Sequence, residues 1–255
     1  MKAVILCGGK GLRMSGDSSF TCKPLAKIGN KPILWHIMEV YMHHGIHDFI
    51  LCLGYNGEAI KEYFMNFDWK DHDFELSIRN NIKEIKFFNQ LDQLNITFVD
   101  TGLNTMTGGR IKRIQKYIDE DEFMLTYGDG VADINLDGLI KFHREKGKFA
   151  TVTGVKNRSS YGIIDIKDGI ATSFLEKPLQ DGWINGGFFI LKKEIFDYIT
   201  GDETIFENEP LRNLVQDHQL AVYQHEGFWQ GIDTIKDLQL ANKEWNNSNS
   251  QWFKW

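Results

Sequence analysis

The first half of the chain alternates short, wholly apolar runs with longer amphipathic stretches. Lys2–Leu6 is apolar after its first residue, the pattern of a strand covered on both faces. Ile33, Leu34, Ile37, Met38 and Tyr41 then recur at helical spacing up to Gly45, and Pro32 is placed to be the first helical residue. The same rhythm predicts strands at Phe49–Leu53, Ile96–Val99 and Phe123–Thr126. Helices are predicted at Glu58–Phe64, Arg110–Tyr117 and Leu136–Lys146, the last closed by Gly147. Strands that alternate with helices in this way build an α/β fold: a Rossmann-like, doubly wound, mostly parallel sheet with helices on both faces.

Beyond residue 146 the pattern turns to strands, at Ala150–Val155, Gly162–Ile166, Ala171–Leu175, Gly186–Leu191 and Leu220–Gln224. Helices are expected at Glu207–Gln216 and Ile235–Trp245. Residues 66–95 are polar, aromatic-rich and weakly periodic, and read as an insertion of hairpin or loop character. No linker or repeat interrupts the chain. A single domain over 1–255 is expected, with a first part to about residue 130 and a β-rich lobe from about 131 to 255.

The 255 residues carry a formal net charge of -6, with 42% hydrophobic and 25% charged positions, enough for a full-sized core. No global positive field attracts nucleic acid or an anionic membrane, so an anionic ligand must be met by a local site. Cys7, Cys22 and Cys52 are odd in number and lack disulfide or metal-ligand spacing, which favours a reducing cytoplasm. Cys7 and Cys52 are expected to pack as small hydrophobes, and Cys22 is the one open to exposure. Met1-Lys2 leads straight into a strand, so no leader is expected. No apolar run approaches the roughly 20 residues of a membrane helix.

The residues that carry chemistry gather at predicted strand ends. Leu6 leads into Cys7-Gly8-Gly9-Lys10-Gly11-Leu12-Arg13-Met14. Its glycines bare backbone N–H groups, and Arg13 and Lys23 add positive charge, a combination suited to a polyphosphate. A dinucleotide fingerprint would need its third glycine at Met14, and no P-loop spacing is present. A plain glycine-rich turn would read the same. Asp129 follows an apolar strand at the edge where open sheets bind ligands, or forms an Asp-Gly turn. Asp233 either joins it or caps the last helix. Beside a phosphate loop the two are candidates for one Mg²⁺, which takes one or two carboxylates and completes its shell with water and phosphate oxygens.

Glu176-Lys177-Pro178 ends another strand and suits a second anionic substrate or a solvated turn. Asn185-Gly186-Gly187 offers donor, acceptor and bare backbone, or a bulged strand. Thr107-Gly108-Gly109-Arg110 is a glycine turn opening a helix, where a base edge could be read. No nucleophile–base pair is visible. Trp35, Trp229, Trp245 and Trp252 are expected to pack rather than stack on bases.

Together these segments resemble the sugar-1-phosphate nucleotidyltransferases, and within them the cytidylyl branch. The resemblance covers nearly the whole chain. It rests on Gly8-Gly9-x-Gly11-x-Arg13, Lys23-Pro24, Gly29-x-Lys31-Pro32, Met106-Thr107-Gly108-Gly109-Arg110, Tyr127-Gly128-Asp129-Gly130-Val131-Ala132-Asp133, Glu176-Lys177-Pro178, Ile184-Asn185-Gly186-Gly187 and Gly227-Phe228-Trp229-Gln230. It implies transfer of CMP from CTP to glucose 1-phosphate, giving CDP-glucose for polysaccharide biosynthesis, by a cytoplasmic homo-oligomer as large as a hexamer. Leu6, Gly8, Gly9 and Gly11 would cradle the nucleotide. Arg13 would hold its departing phosphates, Lys23 would neutralise the α-phosphate, and Asp129 and Asp233 would hold Mg²⁺. Thr107 and Gly108 would face cytosine. Tyr161, Glu176, Lys177, Asn185 and Gly186 would bind the sugar phosphate.

The chain departs from the family pattern at Leu12, where Thr is usual, at Met14, where Leu is usual, at Gly231, where Pro is usual, and in Ser159-Ser160-Tyr161-Gly162. Two other readings stay open: a nucleotidyltransferase with another base or acceptor, and a non-catalytic nucleotide-binding regulator.

Overall fold

β1 (Ala3–Leu6) is buried at every position because it runs through the middle of the main sheet. It lies parallel to β4 (Asp48–Leu53) on one side and to β8 (Glu122–Tyr127) on the other. β7 (Asn95–Asp100) extends the sheet beyond β4, also parallel. Beyond β8 comes antiparallel β14 (Phe189–Lys192), then β10 (Ala150–Val155), which pairs parallel with β15 (Leu220–His225) and antiparallel with the short β13 (Ile184–Asn185). The result is an eight-stranded, mostly parallel sheet. A computed structural model describes the chain over residues 1–9, 22–66, 73–79, 82–87, 93–156, 162–176, 182–247 and 252.

Alternating side chains divide the core between the two faces of this sheet. Ala3, Ile5, Phe49 and Leu51 pack under α1 (Ile33–His43), whereas Val4, Leu6, Ile50 and Phe123 pack with Phe196 and Phe206 on the other face. The chain steps outward from β1 to β4 to β7 and then returns to pair β8 with β1, so the winding reverses between β1 and β8. In open sheets the crevice at such a reversal, beyond the carboxyl ends of the strands, is where ligands bind.

Several expectations change in detail. Pro32 is not the first helical residue: it caps α1 in an extended conformation and pairs in a two-residue ribbon, β2 (Lys27–Ile28) with β3 (Lys31–Pro32). The strand expected over Gly186–Leu191 is broken, because Gly187 and Phe188 adopt φ of 73° and 49°. The helix expected over Arg110–Tyr117 begins at Thr107 and ends at Arg113, followed by a tight turn over Gln115–Tyr117. Cys22 is buried, as are Cys7 and Cys52. Burial raises all three thiols, Cys22 to about 11 and Cys52 to about 12, so they stay protonated.

The insertion contains a hairpin, β5 (Phe74–Arg79) with β6 (Ile82–Phe87). A second hairpin, β11 (Ile163–Lys167) with β12 (Ile170–Leu175), turns at Asp168-Gly169, both with positive φ, as a tight two-residue turn requires. Trp252 is buried against Phe228 and Trp245, while the last three residues of the aromatic tail lie outside the described residues. Among the described residues no helix is long and apolar enough to cross a membrane.

One buried cation ties the strand ends together. Arg110 is 5% exposed, and its Nη1 donates to the Leu53 carbonyl (3.0 Å), Thr101 Oγ1 (2.7 Å) and the Gly102 carbonyl (2.8 Å). Its Nη2 donates to the Gly8 carbonyl at 3.0 Å. The chain ends of β1, β4 and β7 therefore converge on one guanidinium. Arg110→Met would leave four acceptors without this donor and is expected to cost about 3 kcal/mol, because hydrogen bonds to charged groups are the strong ones. Urea unfolding checks it, and a loss below about 1 kcal/mol would contradict this account.

Candidate functional site

The site is built from three segments that meet beyond the carboxyl ends of β1 and β8. The first is the tight turn Lys23–Leu25, whose Pro24 packs beside Gly128. A Cβ on Gly128 would stand 3.0 Å from the Leu6 carbonyl and 3.3 Å from Pro24, so this backbone approach is one that glycine makes easy. The Gly128 N–H donates to the Leu6 carbonyl at 3.1 Å, which is how Leu6 contributes, through its main chain.

The second and third segments are joined by a small ribbon. β9 (Gly130–Ala132) pairs antiparallel with β16 (Trp229–Gly231), with Gly130 opposite Gly231. One step further, the Ile232 N–H donates to the Asp129 carbonyl at 2.8 Å. Asp129 thus precedes one strand and Asp233 follows its partner, so the pairing register brings the two acids to the same end. Asp233 is not the cap of the last helix. Thr234 is the cap, and Asp237 completes a capping box while its Oδ2 accepts the Asp233 N–H at 3.1 Å. That leaves the Asp233 side chain to meet Lys23.

Lys23 Nζ donates to Asp129 Oδ2 at 2.6 Å and to Asp233 Oδ1 at 2.7 Å. The lysine side chain is 13% exposed, and the two acids are open to solvent at 39% and 54%. Burial pulls the ammonium's pKa down, and the two carboxylates more than reverse that, so it ends above its usual value. Two carboxylates that share one ammonium are close enough to share one hard cation, provided phosphate or water oxygens complete its shell. Among the described residues no group of three or more His, Cys, Asp or Glu could hold a metal unaided.

The phosphate loop is described only at its start. A Cβ on Gly8 would fall 2.1 Å from the Arg110 guanidinium, whereas Gly9 is exposed with nothing among the described residues within 4 Å. Gly8 is therefore glycine for packing. Gly11, Leu12, Arg13 and Met14 lie outside the described residues.

Thr107 and Gly108, expected to face a base, sit at the start of their helix with these polar groups engaged by the chain itself. Thr107 Oγ1 donates to Glu207 Oε2 at 2.6 Å and accepts the Phe206 N–H at 2.9 Å. The Gly108 N–H donates to the Thr204 carbonyl at 2.9 Å, and a Cβ there would stand 2.7 Å from that same oxygen. The two glycines let the 202–204 loop press against the helix.

On the other side of the crevice, Asn185 Oδ1 accepts the Gly187 N–H at 2.9 Å and Nδ2 donates to the Tyr127 hydroxyl at 3.2 Å. Gly186 packs on Val155, and its carbonyl accepts Trp229 Nε1 at 2.8 Å. Glu176 is exposed at the end of β12. Lys177 and Tyr161 lie outside the described residues.

Three residues with structural influence here carried no role in the sequence reading. Arg110 stood inside a quoted motif, but nothing in spacing says that a guanidinium is buried. Tyr127 stood next to Gly128, and Glu207 had no signal at all. A cleft at the opposite, amino-terminal end of the strands, lined by Met1, Glu122, Arg144 and Lys192, contains none of the expected residues.

Residues 2–248 match the nucleotidyl transferase family. Over the full length of both chains, the sequence is 51% identical to a Bacillus subtilis protein named probable glucose-1-phosphate cytidylyltransferase. It is 45% identical, again over the full length of both, to the glucose-1-phosphate cytidylyltransferase of Salmonella typhimurium. The crystal structure of HddC from Yersinia pseudotuberculosis complexed with GMP-PN aligns with a TM-score of 0.69 at 25% identity, covering 96% of this chain and 99% of that one. A family match that leaves out only the first residue and the last few, on a sheet whose crevice gathers Lys23, Asp129 and Asp233, establishes that this chain belongs to the nucleotidyl transferase family.

Proposed function

We propose that this chain transfers CMP from CTP to glucose 1-phosphate, giving CDP-glucose and pyrophosphate. The observation that carries the reading is the convergence of Asp129 and Asp233 on the Lys23 ammonium at the β1–β8 reversal. The full-length relatives named as glucose-1-phosphate cytidylyltransferases support the choice of substrates. A phosphate oxygen of the sugar 1-phosphate attacks the α-phosphorus of CTP. The bond from that phosphorus to the bridging oxygen breaks, and pyrophosphate leaves with the electron pair. The attacking phosphate is already ionised at neutral pH, so the chain needs no strong base; it supplies position and charge neutralisation.

Asp129 and Asp233 would hold Mg²⁺, which supplies charge neutralisation on the phosphates when bound. Gly8, Gly9, Gly11 and Arg13 would hold the triphosphate, and Lys23 would bring its ammonium to the α-phosphate and leaving group. Lys177, Glu176, Asn185, Gly186 and Tyr161 would hold the sugar phosphate. A guanine nucleotide is the specific competitor, because HddC was crystallised with GMP-PN and shares the fold.

Purified protein with Mg²⁺ and glucose 1-phosphate should release pyrophosphate at least tenfold faster with CTP than with GTP, ATP, UTP or dTTP. Equal or faster release with GTP would replace the base assignment, and no release with any pair would leave a binding protein.

Asp129→Asn and Asp233→Asn should each lower kcat on the order of a hundredfold or more, with thermal unfolding close to that of the parent. Turnover within threefold of the parent in either variant would remove the metal role.

The raised pKa of Lys23 fixes the sign of a stability effect. A lysine whose folded pKa exceeds its unfolded value stabilises fully below about 10.4 and loses that contribution as pH rises through the folded value. The stability advantage of the parent over Lys23→Met in urea should be level between pH 7 and about 10 and shrink above it. An advantage that grows above pH 10 would mean the ammonium is not what the acids hold.

A further inference from the structure

A second polar chain runs beside the reacting centre, and the proposed reaction gives a role to Asn185 alone among its members. Tyr127 ends β8, two residues before Asp129. Its hydroxyl donates to Glu207 Oε1 at 2.6 Å, and the other oxygen of Glu207 accepts the Thr107 hydroxyl at 2.6 Å. Asn185 Nδ2 approaches the same Tyr127 hydroxyl at 3.2 Å, and Asn185 Oδ1 takes the Gly187 N–H at 2.9 Å. Burial and then the charge of Glu207 push the Tyr127 phenol well above its usual range, so its proton stays on.

The donor directions in this chain are forced. A carboxylate only accepts, so Tyr127 must give its single proton to Glu207. The tyrosine oxygen then has only lone pairs to offer, so the asparagine must meet it with its NH₂ end. With its NH₂ toward Tyr127, the amide oxygen falls toward the Gly187 N–H, which needs an acceptor. Reversing the amide would set an oxygen against the lone pairs of Tyr127 and an NH₂ against an N–H. One amide N–H of Asn185 remains outside this chain, and it can only donate. The Thr107 hydroxyl strengthens the constraint: it takes up the other oxygen of Glu207 while accepting from Phe206 N–H, so Glu207 has to accept on both sides.

We propose that Glu207 is a positioning residue for the sugar phosphate, fixing through Tyr127 the amide orientation of Asn185 so that the site presents an N–H donor to an acceptor oxygen of the sugar. This rests on the function proposed above, in which Asn185 meets the sugar. Glu207 itself touches neither substrate in this account. It sets polarity, and polarity is what separates one hydroxyl pattern from another, because a donor left facing a donor loses its hydrogen bond.

Glu207→Gln tests the idea with almost no change of shape. Glutamine has one acceptor and one donor at the two positions, so it cannot accept from both Tyr127 and Thr107. Steady-state kinetics of the full chain should give a KM for glucose 1-phosphate raised about threefold to tenfold, the range of one neutral hydrogen bond, with KM for CTP and kcat within twofold. Tyr127→Phe, which removes only the phenol oxygen, should move the same constant in the same direction and carries the test if the glutamine variant does not fold. An unchanged KM for glucose 1-phosphate in the folded variants, or a matching rise in the KM for CTP, would overturn the role of Glu207. The parent protein assayed alongside separates the two claims. Absence of turnover with every sugar phosphate overturns both, whereas normal turnover with unmoved variants overturns only this one.

Discussion

An ammonium held between two carboxylates closes this chain on itself. Lys23, Asp129 and Asp233 come from three separate segments, and no two of them share a strand or a helix. Two carboxylates brought to one point repel, and a shared cation at hydrogen-bond distance removes that repulsion. The arrangement is stable because main-chain pairing sets it. The β9–β16 ribbon fixes where each acid leaves its strand, the Thr234–Asp237 capping box fixes the backbone at Asp233, and Pro24 seats the lysine turn against Gly128. The two acids are thus brought together by the chain itself, and both stay partly exposed.

A second cation, Arg110, works differently a short way along the same strand ends. Its acceptors are carbonyls and a hydroxyl rather than acids, so its charge is not cancelled by an anion among those hydrogen-bond partners. Burial lowers its pKa, yet a guanidinium remains charged across the physiological range. Its charge is spent on main-chain and hydroxyl acceptors at the strand ends, so its role is to hold β1, β4 and β7 together there.

Periodicity made most of the scaffold legible. Leu136–Lys146 and Ala150–Val155 have the bounds that the pattern gives, and the other main-sheet strands differ by a residue or two, except where Gly187 and Phe188 break one. Short ribbons were not legible. β2 with β3 and β9 with β16 are too brief for a period to register, yet the second of these brings the two acids together. Asp129 was readable as a strand-end aspartate, and Asp233 only as its partner or a helix cap. Their alternatives were separable only by structure: the cap of the last helix is Thr234, because a threonine followed three residues later by an acid can form the reciprocal box that frees its neighbour. Glu207 was unreadable, since a lone glutamate before a short helix has no spacing to betray a buried partner.

Glycine shows why a motif can identify a family while misplacing its contacts. Gly8, Gly108, Gly109 and Gly186 sit where a Cβ would collide with Arg110, Thr204, Asp202 or Val155, so at these positions the residue is demanded by the chain's own packing. A Cβ on Gly9 would meet nothing among the described residues, so no such packing demand is seen there. Both kinds look identical in sequence, and a lost packing glycine would disturb the site as surely as a lost contact. The chemistry therefore has to be argued from what the folded chain leaves exposed, which among the described residues includes the carboxylates of Asp129 and Asp233 and the amide of Asn185.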